Sequence, residues 1–120
     1  MNVTKLDFVA VPTTDPERTR QFYVGMLGLR PDARNEGEFW AGDTCISPWK
    51  PEWFGQEFSP SETCLLSLHV DDVAAARGEL EGKGVEFLGD TIDTGVCHMG
   101  IFKDPDGNVL MLHNRYAPYE

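Results

Sequence analysis

The side chains with the widest chemical range in this 120-residue chain are three histidines and three cysteines. They are His69, His98 and His113, and Cys45, Cys64 and Cys97. Three imidazoles could hold zinc or iron, and a single imidazole that titrates near neutral pH can act as a general base. The cysteines are far apart and form no Cys-x-x-Cys pair, so we expect reduced core residues and not a zinc site or a disulfide framework.

Other catalytic groups have a structural explanation or are missing from the sequence. There is no Gly-x-Ser-x-Gly nucleophile elbow and no glycine-rich phosphate loop. The carboxylate pairs Asp71-Asp72 and Asp104-Asp106 stand at a predicted helix start and in a predicted turn, where carboxylates bind backbone N–H groups. The sequence therefore predicts no catalytic residue.

Composition and charge restrict the class of protein. A formal net charge of -10 argues against a nucleic-acid partner, because such binding depends on clustered Lys and Arg. The acidic surface could instead keep the protein soluble or attract a cationic ligand. No apolar run approaches 18 residues and the N-terminus lacks a signal-peptide pattern, so we expect a cytoplasmic protein without a membrane partner.

A hairpin over residues 102–112 is the clearest structural signal. Asp104 can bind backbone N–H groups, Pro105 presets the first corner, and Gly107 and Asn108 tolerate positive φ where the chain reverses. In the strand that follows, side chains alternate between two faces. Met111 and His113 therefore share one face of that strand.

The first half of the chain reads as a strand, a helix and three short strands. The predicted elements are a strand over residues 5–12, a helix from Thr14 or Asp15 to about Leu27 closed by Gly28, and strands over residues 29–34, 38–41 and 44–47. Residues 48–62 contain prolines that oppose regular structure, yet they are rich in aromatic residues, so we expect them to cover another surface.

The second half repeats this order. We predict a strand over residues 65–70, a helix from Asp71 or Asp72 to about Gly82, and strands over residues 85–88, 96–103 and 109–114. The first strands and helix starts recur 57 residues apart, and the final hairpins recur 65 apart. We therefore expect one domain over residues 1–120, with a first module at about 3–48, a connector at 49–63 and a second module at about 64–115.

The duplicated pattern resembles the vicinal-oxygen-chelate superfamily. The resemblance is carried by Phe22-Tyr23 with Leu27-Gly28-Leu29, by the helix entry at residues 70–73, and by the hairpin at residues 102–112. That superfamily contains glyoxalase I, extradiol dioxygenases, fosfomycin-resistance enzymes and bleomycin-resistance binding proteins. The resemblance implies an α+β fold of two tandem β-α-β-β-β modules, which form a curved mixed sheet around a cavity with the helices on the convex side.

The resemblance also indicates where a metal site would be. Enzymes of the superfamily hold a divalent metal with His, Glu or Gln from the first and last strand of each module. These positions fall on Phe8 and Leu65 in the first strands, on Met111 in the last strand, and on Ile46 by the 65-residue offset. Such side chains do not coordinate a hard divalent cation, so we expect no metal and no other cofactor, and an apolar cavity floor instead.

Aromatic residues near the connector suggest what the cavity holds. Trp40, Trp49, Trp53 and Phe54 could form walls that stack on a planar ligand, although they could equally pack in the core or in a dimer interface. A histidine, His98 or His113, would supply a polar anchor. The predicted ligand-binding residues are Phe8, Trp40, Ile46, Trp49, Trp53, Phe54, Leu65, His98, Phe102, Met111 and His113.

We therefore expect a metal-independent, homodimeric protein that binds a small molecule of aromatic, hydrophobic or cationic character, as antibiotic-resistance proteins of this superfamily do. The alternative is a metal-dependent lyase, isomerase or dioxygenase in which His69, His98 and His113 converge in the cavity. A third possibility is a structural or regulatory dimer without a ligand.

Overall fold

Each half of the chain folds around its own four-stranded mixed sheet. The computed structural model describes residues 1–119 and divides into two compact units, residues 1–60 and the residues from 61 onward. Both units follow the order β-α-β-β-β. The predicted α+β class and the internal duplication are therefore confirmed.

The first unit places its first strand beside its last. Its elements are β1 (Val9–Pro12), α1 (Pro16–Arg20), β2 (Arg30–Pro31), β3 (Phe39–Ala41) and β4 (Thr44–Trp49). The strand order is β1-β4-β3-β2, in which β1 runs parallel to β4 and the other neighbours are antiparallel. The parallel connection through α1 brings the beginning and the end of the unit together.

The helix of the first unit begins where the capping signal predicts. The Asp15 carboxylate accepts a hydrogen bond from the Arg18 backbone N–H at 3.2 Å, and Pro16 occupies the first helical position. After Arg20 the helix continues as a π-helix over Gln21–Met26. Thirteen positions separate Asp15 from the closing Gly28, which has a φ of +78°.

The second unit repeats the arrangement with longer final strands. Its elements are β5 (Leu66–His69), α2 (Val73–Gly82), β6 (Ile92–Asp93), β7 (Cys97–Lys103) and β8 (Val109–Arg115), in the strand order β5-β8-β7-β6. Asp72 caps α2 by accepting a hydrogen bond from the Ala75 backbone N–H at 3.0 Å. Twelve positions separate Asp72 from the closing Gly84, one fewer than in the first unit. The π-helical turn holds the additional residue.

The turn between β7 and β8 is built around two buried polar side chains. The Asp104 carboxylate accepts hydrogen bonds from the backbone N–H groups of Asp106 and Asn108, and from the Asn108 side-chain amide at 2.8 Å. The side-chain oxygen of Asn108, Oδ1, in turn accepts a hydrogen bond from the Ser61 backbone N–H at 2.8 Å. The turn therefore also fixes the chain segment that enters the second unit.

Two strand predictions were wrong in position. The first strand is paired only from Val9, whereas we predicted pairing from residue 5. Residues 85–88 form no regular strand, and Ile92–Asp93 pairs with β7 in their place. In residues 85–88, Phe87 makes an isolated bridge with Phe102, packs on its ring at 5.1 Å and lies close above Gly100. Phe87 therefore keeps a single bridge to β7 and packs its half-buried ring on Phe102, while Ile92–Asp93 makes the regular pairing with β7.

The connector is more regular than its prolines predict. Strand β4 continues through Pro48 to Trp49, and a 3-10 helix follows over Pro51–Phe54. Pro48 is tolerated because pairing with β3 has already ended at Ile46, so its missing N–H interrupts no bond on that side. No helix within residues 1–119 combines the length and the apolar character needed to cross a membrane.

Candidate ligand-binding faces

Each sheet has a helix face, which packs on its own helix, and an open face on the other side. In the first unit the registers Val9↔Ile46 and Phe39↔Ile46 place these three side chains on the helix face. Alternation then places the neighbouring residues on the open face. The open face of the first unit comprises Phe8, Ala10, Pro12, Arg30, Trp40, Cys45, Ser47 and Trp49.

Ile46 was predicted to lie on the cavity floor, and the structure corrects this. Its side chain is 1% exposed and belongs to the helix-face core. The registers Ala10↔Ser47 and Ser67↔Met111 show that the counterpart of Met111 is Ser47, at an offset of 64 and not 65. The floor of the first open face is therefore lined by the small side chains of Ser47 and Ala10. Ser47 places a hydroxyl where we predicted the larger, apolar side chain of Ile46.

Three aromatic rings form a stack on this face. The Trp49 ring lies parallel to Phe8 at 5.9 Å and to Phe54 at 4.5 Å, both with an interplanar angle of 18°. Trp49 is paired with Pro12, about 13 Å along the strand from Phe8. The two rings must lean toward each other across Ala10 and Ser47 to come this close. The stack therefore forms a rigid aromatic wall over a floor of small side chains.

Trp53 does not join this wall. Its side chain is 58% exposed, and no aromatic ring of residues 1–119 stacks on it. The backbone N–H of Trp53 is used inside the turn, where it donates to the Lys50 carbonyl at 3.0 Å. Of the predicted wall residues, the structure brings together Trp49 and Phe54, whereas Trp53, which is as exposed as Phe54, stacks on neither ring.

Trp40 stands on the same open face but is held by polar groups. Its indole N–H donates to the Asp32 carboxylate at 2.8 Å, and the Arg30 guanidinium lies 5.5 Å from its ring. This indole N–H, followed by the backbone N–H groups of Arg34 and Asn35, lowers the pKa of Asp32. The Trp40 ring is fixed in orientation and leaves one edge of the face charged.

Cys45 lies between Trp40 and Ser47 on this face and is not poised as a nucleophile. Its thiol lies 3.6 Å from the Glu38 carboxylate. Burial, together with the charge of Glu38, raises the pKa of the Cys45 thiol. A thiol with a raised pKa stays protonated at neutral pH and is a poor nucleophile.

The open face of the second unit carries apolar, thioether and basic side chains. The pairings of β5 and β7 with β8 define it. It comprises Leu65, Ser67, His69, Cys97, Met99, Ile101, Lys103, Val109, Met111, His113 and Arg115. Leu65, Met111 and His113 were predicted at a ligand site and lie here. Ser47 in the first unit, and Met99 and Ile101 here, were not predicted, because their faces depend on pairings that the sequence does not display. Arg115 was also missed, although it continues the alternation of Met111 and His113 along β8.

Phe102 was also predicted to contact a ligand, and the structure corrects this. Its side chain is fully buried and pairs in register with Leu110 on the helix face. The ring packs against Phe87 within the core of the unit. Phe102 therefore stabilises the sheet and is not exposed to a ligand on the open face.

The three histidines do not converge on one face. His69 and His113 are register partners on the open face, whereas His98 pairs with Asn114 on the helix face. The His98 Nε2 lies 3.4 Å from the Asp93 carboxylate, and its ring packs on Tyr116 at 4.9 Å. Of the two predicted anchors, His113 therefore lies on the open face and His98 on the helix face.

The Asp93 carboxylate binds the segment that follows β8. It accepts hydrogen bonds from the Gly95 backbone N–H at 2.9 Å and from the Tyr116 hydroxyl at 2.7 Å. These bonds, in that order, lower the pKa of Asp93 below its ordinary value of 3.8. A lowered pKa means that the carboxylate stabilises the fold above pH 3.8 and that this contribution is lost as the pH falls through the lower folded-state value.

We expect the Asp93→Asn variant to show this contribution as a pH dependence. The wild type should be more stable than the variant at pH 7, and the difference should shrink as the pH falls below about 4. Urea denaturation followed by circular dichroism from pH 7 to pH 2.5 measures it. The control is Asp90→Asn, because Asp90 is exposed and makes no hydrogen bond or ion pair with residues 1–119. Equal profiles for the two variants would contradict the assignment.

The residues at the four superfamily metal positions do not fit a metal. With the corrected register they are Phe8, Ser47, Leu65 and Met111. A neutral hydroxyl and a thioether are poor ligands for a hard divalent cation, and the other two side chains have no donor atom. Within residues 1–119 there is also no group of three or more His, Cys, Asp or Glu side chains arranged to hold an ion.

A separate cavity of about 340 Å³ lies in the first unit, between the ends of β1 and β4 and residues 50–58. None of the predicted ligand-binding residues lines it. Its one ammonium group, on Lys50, is neutralised by Glu52 at 2.6 Å. The cavity is therefore distinct from both open faces.

Comparisons with known proteins agree with the duplicated architecture. A family model described as Glyoxalase/Bleomycin resistance protein/Dioxygenase superfamily matches residues 5–112. Comparison with curated proteins by sequence gives no significant match.

Three solved structures illustrate the similarity. TnmS3, an antibiotic binding protein from Streptomyces sp. CB03234, is 28% identical, with a TM-score of 0.79 and coverage of 96% of this chain and 98% of that one. A member of the same superfamily from Sphaerobacter thermophilus DSM 20745 is 21% identical, with a TM-score of 0.78 and coverage of 92% and 97%. An integron cassette protein from the mobile metagenome of V. cholerae is 24% identical, with a TM-score of 0.70 and coverage of 94% and 96%.

Proposed function

The chain belongs to the glyoxalase/bleomycin resistance protein/dioxygenase superfamily, and we propose that within it the protein is a metal-independent binder that sequesters a small aromatic ligand. One observation carries the proposal. The four positions that hold metal ligands in the enzymes of the superfamily are Phe8, Ser47, Leu65 and Met111 here. These side chains suit contact with an organic molecule better than coordination of a cation.

The open face of the first unit supports an aromatic ligand. The stack of Phe8, Trp49 and Phe54 presents a flat apolar wall, and the small side chains of Ala10 and Ser47 leave room beside it. Aromatic rings prefer offset stacking on such surfaces, at centroid separations of about 4.5–7 Å. A planar ring system lying over Ala10 and Ser47 would satisfy this preference.

The open face of the second unit carries side chains that can adapt their shape to an apolar ligand. Met99 and Met111 line it beside Ile101 and Leu65, and thioether side chains adjust their shape to irregular apolar partners. Binding of this kind requires no reacting group, which agrees with the protonated state of the Cys45 thiol. Among the solved relatives, TnmS3 is described as an antibiotic binding protein. By analogy, the proposed role here is to hold such a compound away from its target.

A neutral aromatic probe tests the proposal. We expect N-phenyl-1-naphthylamine to bind with micromolar affinity, seen as enhanced probe fluorescence and as quenching of the tryptophans. Because no metal takes part, incubation with EDTA followed by dialysis should leave the dissociation constant unchanged. Elemental analysis of protein purified without chelators should find zinc, iron and manganese well below one equivalent.

The enzyme alternative predicts the opposite result. Stoichiometric metal, lost together with binding after chelation, would favour a lyase, isomerase or dioxygenase and would overturn the proposal. A protein that binds no probe at all would favour a structural role. Homodimer formation and a cytoplasmic location remain predictions.

A further inference from the structure

The second open face contains one basic side chain with an unsatisfied buried atom. Arg115, at the end of β8, donates from Nη2 to the Pro118 carbonyl oxygen at 3.0 Å, and the Tyr119 ring lies 4.2 Å from its guanidinium carbon. The Arg115 Nε is buried and has no hydrogen-bond partner among residues 1–119. An unmade hydrogen bond of a buried charged group is costly, so the arrangement is incomplete as it stands.

The chemistry of the missing partner follows from the shape of the guanidinium. Nε and Nη2 donate from the same edge, which matches the two oxygens of a carboxylate or a related anion. The single carbonyl oxygen of Pro118 satisfies only one of these two donors. An anion with two oxygens would satisfy both.

The charges around Arg115 favour an anion. None of the side chains on the open face of the second unit is acidic, although the whole chain has a net charge of -10. The face carries Lys103 and Arg115, and also His113, which stands two residues before Arg115. The one acidic strand residue of this unit, Asp93, lies on the helix face. The strand residues of this face therefore include basic side chains and no acidic one, and the Asp71 carboxylate contacts the face at His69, 3.2 Å from its Nε2.

The segment after β8 has a separate anchor. The backbone N–H groups of Tyr116 and Ala117 donate to the Val96 carbonyl at 3.0 and 3.1 Å, and the Tyr116 hydroxyl binds Asp93. Pro118 and Tyr119 extend past this anchor to reach Arg115. They place a carbonyl oxygen and an aromatic ring against the guanidinium, as an aromatic ligand with an acidic group would.

We propose that Arg115 anchors the anionic group of an aromatic carboxylate or sulfonate ligand on the second open face, and that Pro118 and Tyr119 occupy its place when the ligand is absent. This inference rests on the proposed function, because it assigns a ligand class to the same binding protein. It replaces the cationic ligand that the net charge favoured. Binding requires the Tyr119 ring to move off the guanidinium, while the Tyr116 anchor stays in place.

Two probes with the same rings test the inference. The sulfonate 8-anilino-1-naphthalenesulfonate and the neutral N-phenyl-1-naphthylamine differ only in the acidic group. We expect Arg115→Gln to weaken sulfonate binding about tenfold or more, since hydrogen bonds to charged groups are strong, and to change the affinity for the neutral probe less than about twofold. We expect Tyr119→Ala to strengthen sulfonate binding severalfold, because the competing ring is removed.

The matched control is Arg34→Gln, which removes the same charge from an exposed loop of the first unit and should change neither affinity. Equal effects of Arg115→Gln and Arg34→Gln would overturn the inference, as would equal losses for the two probes or weaker sulfonate binding by Tyr119→Ala. In these cases the neutral probe still binds, so the proposed function survives. If neither probe binds the wild type, the proposed function and the inference fall together.

Discussion

The Asn108→Ala variant should unfold with a free energy about 2–4 kcal/mol lower than that of the wild type, because it breaks a buried network around a charge. Asn108 is fully buried, donates to the Asp104 carboxylate and accepts from the Ser61 backbone N–H. Alanine removes the side-chain acceptor of the Ser61 N–H and one donor to the Asp104 carboxylate. Urea denaturation monitored by circular dichroism measures the loss.

The control for this variant is Asn35→Ala in the first unit. Asn35 also binds a carboxylate, Glu38, and a backbone N–H, but it is exposed. Water replaces its bonds, so we expect a loss below about 1 kcal/mol. If Asn108→Ala and Asn35→Ala lower the free energy of unfolding equally, burial of the asparagine is not the source of the effect. Asn108→Asp adds a second test, because it should be at least as destabilising by setting a carboxylate against Asp104.

The Trp49→Ala variant should bind N-phenyl-1-naphthylamine about thirtyfold more weakly, equivalent to about 2 kcal/mol of lost aromatic contact. Trp49 is the central ring of the stack with Phe8 and Phe54, so its removal also leaves both neighbours without their partner. Fluorescence titration of the probe measures the change. Trp40 and Trp53 remain as intrinsic reporters in the variant.

Trp53→Ala is the matched control, because Trp53 lies four residues away and remains outside the stack. We expect its affinity to stay within about twofold of the wild type, as for a surface substitution. A larger loss for Trp53→Ala than for Trp49→Ala would show that the probe binds at the surface of the connector. It would also restore Trp53 to the role that the sequence predicted.

The local features of the fold were predictable because their causes are local. Asp15 and Asp72 cap the helices as expected, and Asp104 binds backbone N–H groups in the turn as predicted. Of the two residues expected to suit a positive φ, Gly107 adopts one and Asn108 does not. A capping side chain or a turn residue acts on backbone groups only a few positions away. Such signals can therefore be read without knowledge of the rest of the chain.

The faces of the strands were predicted less well because they depend on register. An error of one residue in the internal offset exchanged Ser47 for Ile46 and so moved a core side chain to the site, since one step inverts the face. The face on which His98 lies is set by its pairing with Asn114, and the sequence of residues 96–103 does not reveal this pairing. An alignment of the two units by their strand pairing would have identified Ser47 as the counterpart of Met111. The alternation of Met111 and His113 along the last strand would have placed Arg115 on the same face.

The π-helical turn at Gln21–Met26 has a consequence for how the two halves of the chain have diverged. One extra residue in a helix would normally rotate everything after it by about 100° and displace the following sheet. Here a single widened turn absorbs it, so the strands before and after keep the same partners in both copies. The length difference of one residue is thus taken up inside the helix, beside the buried rings of Phe22 and Tyr23, while the strand pairing of the two units stays the same.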